Sequence, residues 1–250
     1  MNNQNKLRGL NALDLKIIAM VCMFLDHLYA SIVPGNAWLT YIGRIAFPIF
    51  AFQLVEGFFH THDYKAYLKR MLIMAIITEI PFNLVAGGGM IYPFHQNVLF
   101  TFTIGLIVLN AIHKYRNQGP LKFALATIGF TLLGFLLATI TMVDYFGYGI
   151  LMIVLFYLAH ESKYAKVITL IGMYIINAVI MEGLVVMIPV NMFGLSLMLE
   201  IPQQAFALFA LIPIFLYNGQ QGPHNKYIQW FAYWFYPGHL LLLGILAKFF

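Results

Sequence analysis

The chain has 250 residues, 62% of them hydrophobic and only 9% charged. A water-soluble core this apolar would leave too few polar residues to cover its surface, and no polar segment is long enough for a second unit, so a single membrane domain over 1–250 is expected. The net charge of +5 comes from short cationic clusters between apolar runs, not from a continuous basic stripe, which argues against a nucleic-acid partner.

Apolar runs fall at about 14–33, 40–60, 67–86, 97–113, 121–140, 146–160, 165–181, 184–199, 203–217 and 228–248. They predict an all-α, polytopic transmembrane bundle of about ten helices. Pro189 and Asn191 interrupt the eighth run, and without it nine remain. The polar first dozen residues carry no small-residue cleavage pattern, so the first helix is expected to stay as an anchor. Cys22 is the only cysteine, which excludes an intrachain disulfide and a paired-cysteine metal site. Cations flank alternate runs: Lys6 and Arg8, then Lys65, Lys69 and Arg70, then Lys114, Arg116 and Lys122, then Lys163 and Lys166. That bias predicts a multi-pass protein of the cell membrane with a cytoplasmic N-terminus. Ten helices put Lys226 outside and Lys248 inside, and nine reverse both.

The run from Leu13 to His60 carries Asp26, His27, Arg44 and Glu56 in apolar surroundings. An Arg or Asp at the centre of an inserting helix costs roughly 2.5 to 3.5 kcal/mol, so function is the default reason for each. Lys16 and His27 are eleven positions apart, about three turns plus 20°, which puts both on one face of the first helix about 16 Å apart. The plainer reading is a snorkelling lysine and a packed histidine. His27 and Arg44 flank the Pro34–Asn36 turn by about two turns each, so they are expected at similar depth in the outer half of a hairpin, sharing one cavity. Gln53, Glu56 and His60 share a stripe of the second helix. Glu79, Asn83, Asn97 and Thr101 add polar groups on the third and fourth, where hydrogen-bonding glue between helices is the ordinary role. Gly87–Gly89 precedes no Lys-Ser or Lys-Thr pair and reads as a flexible loop, not a phosphate cradle. His239 lies about halfway along the last helix, beside Tyr236 and Pro237.

Four blocks of the chain, IGRIAFPIFAFQLVEGFFHTHDYKAYLKRMLIMAIITEIPFNL, NVLFTFTIGL, LYNGQQG and FYPGHLLLL, resemble the TraX family of integral-membrane proteins. The likeness runs in patches from about Leu13 to Leu243 and is thinnest between about Leu121 and Ile201. The founding activity of that family is acetylation of a pilin N-terminus. The family is similar to wider membrane acyltransferases in which a basic residue, ten others and a histidine mark the catalytic stripe, and Lys16 and His27 match that spacing. The resemblance therefore implies transfer of an acetyl group from cytoplasmic acetyl-coenzyme A to an amine or hydroxyl outside.

Such chemistry needs a base, an oxyanion donor and a site that excludes water from the thioester. His27 is the expected base, oriented by a carboxylate from Asp26, Glu56 or Glu79, with Arg44 or His239 as oxyanion donor. Asp26 points about 100° away from His27 on the same helix, so a carboxylate from another helix is at least as plausible. Lys16 would guide the thioester arm, and Lys69 and Arg70, with Lys65, or Lys114 and Arg116 would meet the phosphates. Asn97 joins the candidate binding residues, and no metal is expected. The acceptor stays open among peptide, glycan and lipid. The rival classes are a small-solute transporter, for which the Pro189 interruption is a broken-helix candidate, and a structural membrane subunit.

Overall fold

The structure is a computed structural model that describes residues 9–182, 190–192, 195–197 and 202–249. Asn11 starts the first helix: its Oδ1 accepts from the Leu13 and Asp14 N–H groups at 2.9 and 3.1 Å, and the Asp14 carboxylate accepts from Asn11 N–H at 3.0 Å. This reciprocal cap satisfies donors that the first turn leaves free. The helix, α1, spans Ala12–Ser31. After the Pro34–Asn36 turn, α2 (Ala37–Gly43) and α3 (Ala46–His60) form one 24-residue stretch with a break at Arg44 and Ile45. Then come α4 (Tyr64–Ala86), α5 (Val98–His113), α6 (Pro120–Ile140) and α7 (Phe146–Ala159). The next helix, α8 (Ala165–Tyr174), runs into a π-helical stretch, Ile175–Ile180. A 3-10 stretch, Gln203–Ala210, leads into α9 (Leu211–Phe215), and α10 (Lys226–Leu246) closes the chain.

The fold is all-α, and most of the apolar runs are helical near the expected places. The eighth run, 184–199, differs. Most of it, with Pro189, lies outside the described residues, and the described backbone forms a short antiparallel hairpin of β1 (Val190–Met192) and β2 (Leu195–Leu197). Among the described residues the helical stretches therefore number nine, counting α2 with α3, α8 with its π-helical end, and α9 with its 3-10 entry.

Hydrogen bonds between loops fix the two ends of the bundle. Leu10 N–H donates to Leu216 O at 2.8 Å, Asn218 N–H to Leu10 O at 2.9 Å and Ala12 N–H to Gln220 O at 2.8 Å. The segment before α10 thus lies beside the start of α1, and the two helices run from the same end. At that end Arg116 of the α5–α6 turn pairs with Glu161 of the α7–α8 turn. The start of α4, with Lys65, Lys69 and Arg70, and the α7–α8 turn and start of α8, with Lys163 and Lys166, join them, so this is the basic end. At the opposite end Gln96 N–H donates to Met142 O, Asp144 N–H to Gln96 O, both at 2.9 Å, and Gln203 Nε2 to Thr40 Oγ1 at 2.9 Å. Lys226 falls at the basic end, the place that the nine-helix alternative gives it.

Leu15, Ile49, Leu106, Leu109, Ile150 and Ile153 are fully buried at the centre of the bundle. Close helix contact depends on small residues: a Cβ at Gly244 would stand 2.8 Å from the Leu84 Cβ, so α10 lies against α4 only because that position has none. The outside is apolar too. Leu121, Leu125, Ile128, Leu132, Leu133 and Ile140 of α6 are each 55% or more exposed. The stretches Ala37–His60 and Pro120–Ile140 are each long and apolar enough to cross a bilayer. An exposed aliphatic face of this extent belongs against lipid, and the protein is membrane-associated.

Candidate functional site

A cavity of about 860 Å³ runs into the bundle from the basic end. Exposed His60, Arg70 and His224 stand at its mouth, and Val98, Leu99, Phe102 and Tyr236 close its inner end. One stripe of α1 forms a wall through Lys16, Met20 and Met23, and one face of α10 forms another through Gln229, Ala232, Tyr233 and Tyr236. The next residue on each stripe is a histidine, His27 four positions after Met23 and His239 three after Tyr236. Parallel helices keep these two at the same height.

The imidazoles meet. His27 Nδ1 lies 2.7 Å from His239 Nε2, and His239 Nδ1 lies 2.7 Å from Phe235 O. The directions of these bonds follow from chemistry. A carbonyl oxygen carries no proton, so His239 Nδ1 is the donor to it, and in the neutral ring Nε2 is then the acceptor. His27 Nδ1 must donate to that acceptor, which leaves the lone pair of neutral His27 on Nε2. Another imidazole thus holds neutral His27 in the tautomer whose Nε2 is unprotonated. The expected carboxylate partner is corrected: among the described residues no Asp or Glu bonds either ring.

Each candidate carboxylate is engaged elsewhere. Asp26 takes Arg44 Nη2 on both oxygens at 2.5 Å and accepts from Thr40 Oγ1 at 2.6 Å. The close approach needs Gly43, where a Cβ would come within 2.4 Å of Asp26. Glu56 Oε1 stands 2.9 Å from His160 Nε2. Glu79 Oε2 accepts from Asn97 Nδ2 at 2.5 Å and from Asn97 N–H at 3.3 Å, and Asn97 Oδ1 in turn caps α5 through Leu99 N–H at 3.1 Å. Asn97 is therefore a buried joint between α4 and α5. Arg44 lies against the neighbour of His27 but does not line the cavity, so the shared cavity expected for the pair is replaced by an ion pair beside the histidines. Lys16 and Arg70 line the cavity, whereas Lys69 does not, and Arg116 is paired with Glu161. Gln53, Glu56 and His60 do share the expected stripe, and all three face the cavity.

Several polar groups here escaped sequence reasoning. Asp144 and His95, from two loops at the end opposite the basic one, stand 3.4 Å apart. The Asp144 carboxylate holds the His95 imidazole above its ordinary 6.5, against partial burial, which pulls it down. Tyr145 stacks on Phe47 with ring centroids 3.9 Å apart and has a φ of +62°, flanked by Met142 at +53° and Phe146 at +44°. Such left-handed clusters in residues other than glycine occur where function holds the backbone. Tyr236 is 7% exposed and packs against both His27 and His239, with ring centroids 5.9 and 5.8 Å away. Its three-residue spacing before His239 was the one signal the sequence offered. Among the described residues no group of three His, Cys, Asp or Glu side chains is placed to hold a metal ion.

Fold and site together define a helical, membrane-associated protein with a paired-histidine centre beyond an inward-running cavity. The TraX protein profile matches residues 12–247, and the chain belongs to the TraX family. It is 30% identical over 250 residues, 93% of this chain and 94% of the relative, to the probable fimbrial assembly protein FimC, serogroup H1, of Dichelobacter nodosus. No solved structure matches it.

Proposed function

We propose that this protein is a multi-pass membrane acyltransferase that carries an acetyl group from cytoplasmic acetyl-coenzyme A to an amine or hydroxyl on the far side. The observation that carries the reading is the chain Phe235 O, His239, His27, which leaves a base one helix turn beyond the inner end of a cavity entered from the basic end. With the cationic turns cytoplasmic, the cavity mouth faces the donor pool. Lys16 and Arg70 then meet the anionic donor, and the thioester arm lies along Met20, Met23 and Tyr236, away from water.

His27 Nε2 takes the proton from the acceptor amine or hydroxyl as the nitrogen or oxygen attacks the thioester carbonyl. The new C–N or C–O bond forms, the carbonyl electrons move to oxygen, and the tetrahedral adduct collapses by breaking the C–S bond. The departing thiolate takes the proton back from His27. While His27 is an imidazolium, its Nδ1–H bond to His239 holds the charge and the ring angle, the part a carboxylate plays in other triads. The fimbrial name of the relative favours a peptide amine of a surface-fibre subunit as acceptor.

The test is to incubate the purified protein with labelled acetyl-coenzyme A and fibre-subunit peptides, glycans and lipids, and to follow the label by mass spectrometry. Transfer to a peptide N-terminus is expected. No transfer to any acceptor, with no donor binding by calorimetry, would turn the reading to a transporter.

A further inference from the structure

Three carboxylates stand near the histidine pair on the side away from the cavity, and they are unequally matched. Asp26 has the Arg44 guanidinium on both oxygens, and Glu79 accepts twice from Asn97. Asp144 has less. Its Oδ1 accepts from Tyr145 N–H at 3.0 Å and stands 3.4 Å from His95 Nε2, and among the described residues its Oδ2 accepts no hydrogen bond and no Lys or Arg pairs with it. The side chain is 30% exposed, so a group from outside can reach it. A half-buried carboxylate is stable when a cation meets it, and here that place is open.

The backbone holds this carboxylate in position. Asp144 N–H donates to Gln96 O at 2.9 Å, and Asp144 O accepts from the hydroxyl of fully buried Thr101 at 2.5 Å. Thr101 lies one turn into α5, the Tyr236 hydroxyl meets the start of that helix at Val98, and the Tyr236 ring packs against His27 with centroids 5.9 Å apart. Asp144 is thus close enough for its charge to act on His27, Arg44 and Tyr236. We propose that Asp144 anchors the ammonium group of the acceptor, holding an amine on the far side of the histidine pair before transfer. This rests on the acyltransferase reading and chooses between the two acceptor classes it allows. An ammonium brings Asp144 a counter-charge as well as a hydrogen bond, whereas a hydroxyl brings the bond alone. The ammonium is the waiting form: it gives one proton to outer water, the N–H electrons become the lone pair, and the neutral amine goes on to His27.

The experiment uses the full-length protein in detergent at pH 7, where a peptide amine, with an ordinary pKa of about 7.7 to 8.0, is mostly charged. Two probes differ only at the terminal group: trialanine amide, and lactyl-alanyl-alanine amide, which has a hydroxyl in place of the amine. Calorimetry should show the wild type binding the amine probe about tenfold more tightly. Asp144→Asn should remove that preference and leave the hydroxyl probe bound nearly as before. His95→Gln breaks the same contact between loops but keeps the carboxylate, so a purely structural role predicts equal losses in both variants, whereas the anchor predicts that His95→Gln keeps the preference. With labelled acetyl-coenzyme A, Asp144→Asn should raise the Michaelis constant for trialanine amide about tenfold and change turnover much less. Equal affinity of the wild type for both probes, binding of neither, or equal losses in the two variants would overturn the anchor, and acetyl transfer by the wild type would then leave the acyltransferase reading standing. A wild type that prefers the amine probe but neither binds donor nor transfers acetyl would end that reading and, with it, the acceptor role of Asp144.

Discussion

An imidazole serves as a base only through a ring nitrogen that lacks a proton, and at His27 the choice of nitrogen is made 212 residues away. The Phe235 carbonyl sets the tautomer of His239, and His239 sets that of His27. His27→Ala should therefore lower acetyl transfer about 100-fold or more while donor binding stays near normal, since general-base contributions run about 100- to 10,000-fold. His239 separates orientation from charge. In His239→Gln the amide oxygen can take the place of Nε2 and still accept from His27, so turnover should fall much less than in His239→Leu, which strands the His27 Nδ1–H. The stranded donor costs about 1 to 3 kcal/mol, or roughly 5- to 150-fold. Steady-state kinetics of the three purified variants at saturating donor checks the order, and equal losses in Gln and Leu would reject His239 as the acceptor. The sequence made both histidines visible, because a lone imidazole on an apolar helix is conspicuous. It hid their partnership, because periodicity along two helices says nothing about which faces meet.

The α1–α2 hairpin is held by charge at the level of the site. Asp26 and Arg44 are about four-fifths buried, and one partner alone would be a charge without a counter-charge. Asp26→Asn and Arg44→Gln should each lower the thermal midpoint in detergent. The double variant should lose less than the sum of the singles, by a coupling of about 1 to 3 kcal/mol in a double-mutant cycle. Strict additivity would show that the pair is incidental. At the same end of the bundle His95 and Asp144 tie the α4–α5 loop to the α6–α7 turn. Folding raises the His95 pKa, so the pair's stabilisation is complete below the ordinary value of 6.5 and fades as pH rises through the raised folded value. The midpoint gap between wild type and His95→Gln should accordingly be larger at acidic pH than at mildly alkaline pH, and a gap that widens upward would contradict this sign. Pattern alone could not find the clasp, since both residues lie in loops with no period to follow.

Nine helical stretches among the described residues put the start of α10 at the basic end. The proposed multi-pass arrangement with a cytoplasmic basic end has α10 start inside and finish outside, and it predicts that a cysteine placed at Lys248 reacts with a membrane-impermeant maleimide added to intact cells, whereas one at Gly219 does not. Ten crossings predict the reverse. Composition and run length were enough to establish a helical membrane protein, because the bilayer leaves the chain few other solutions and each span is a local, one-dimensional property. The cationic turns give an expected orientation on the same local basis, and the Lys16–His27 stripe followed from helix geometry alone. Only the tertiary structure decided the count, by hydrogen-bonding the segment before α10 to the start of α1. It also decided the partner of each buried charge: Asp26 to Arg44, Glu56 to His160, Glu79 to Asn97, and His27 to His239. A helix pattern states which residues share a face and how deep each lies. Which faces touch depends on the order and direction in which the helices pack, and that order is a property of the whole bundle.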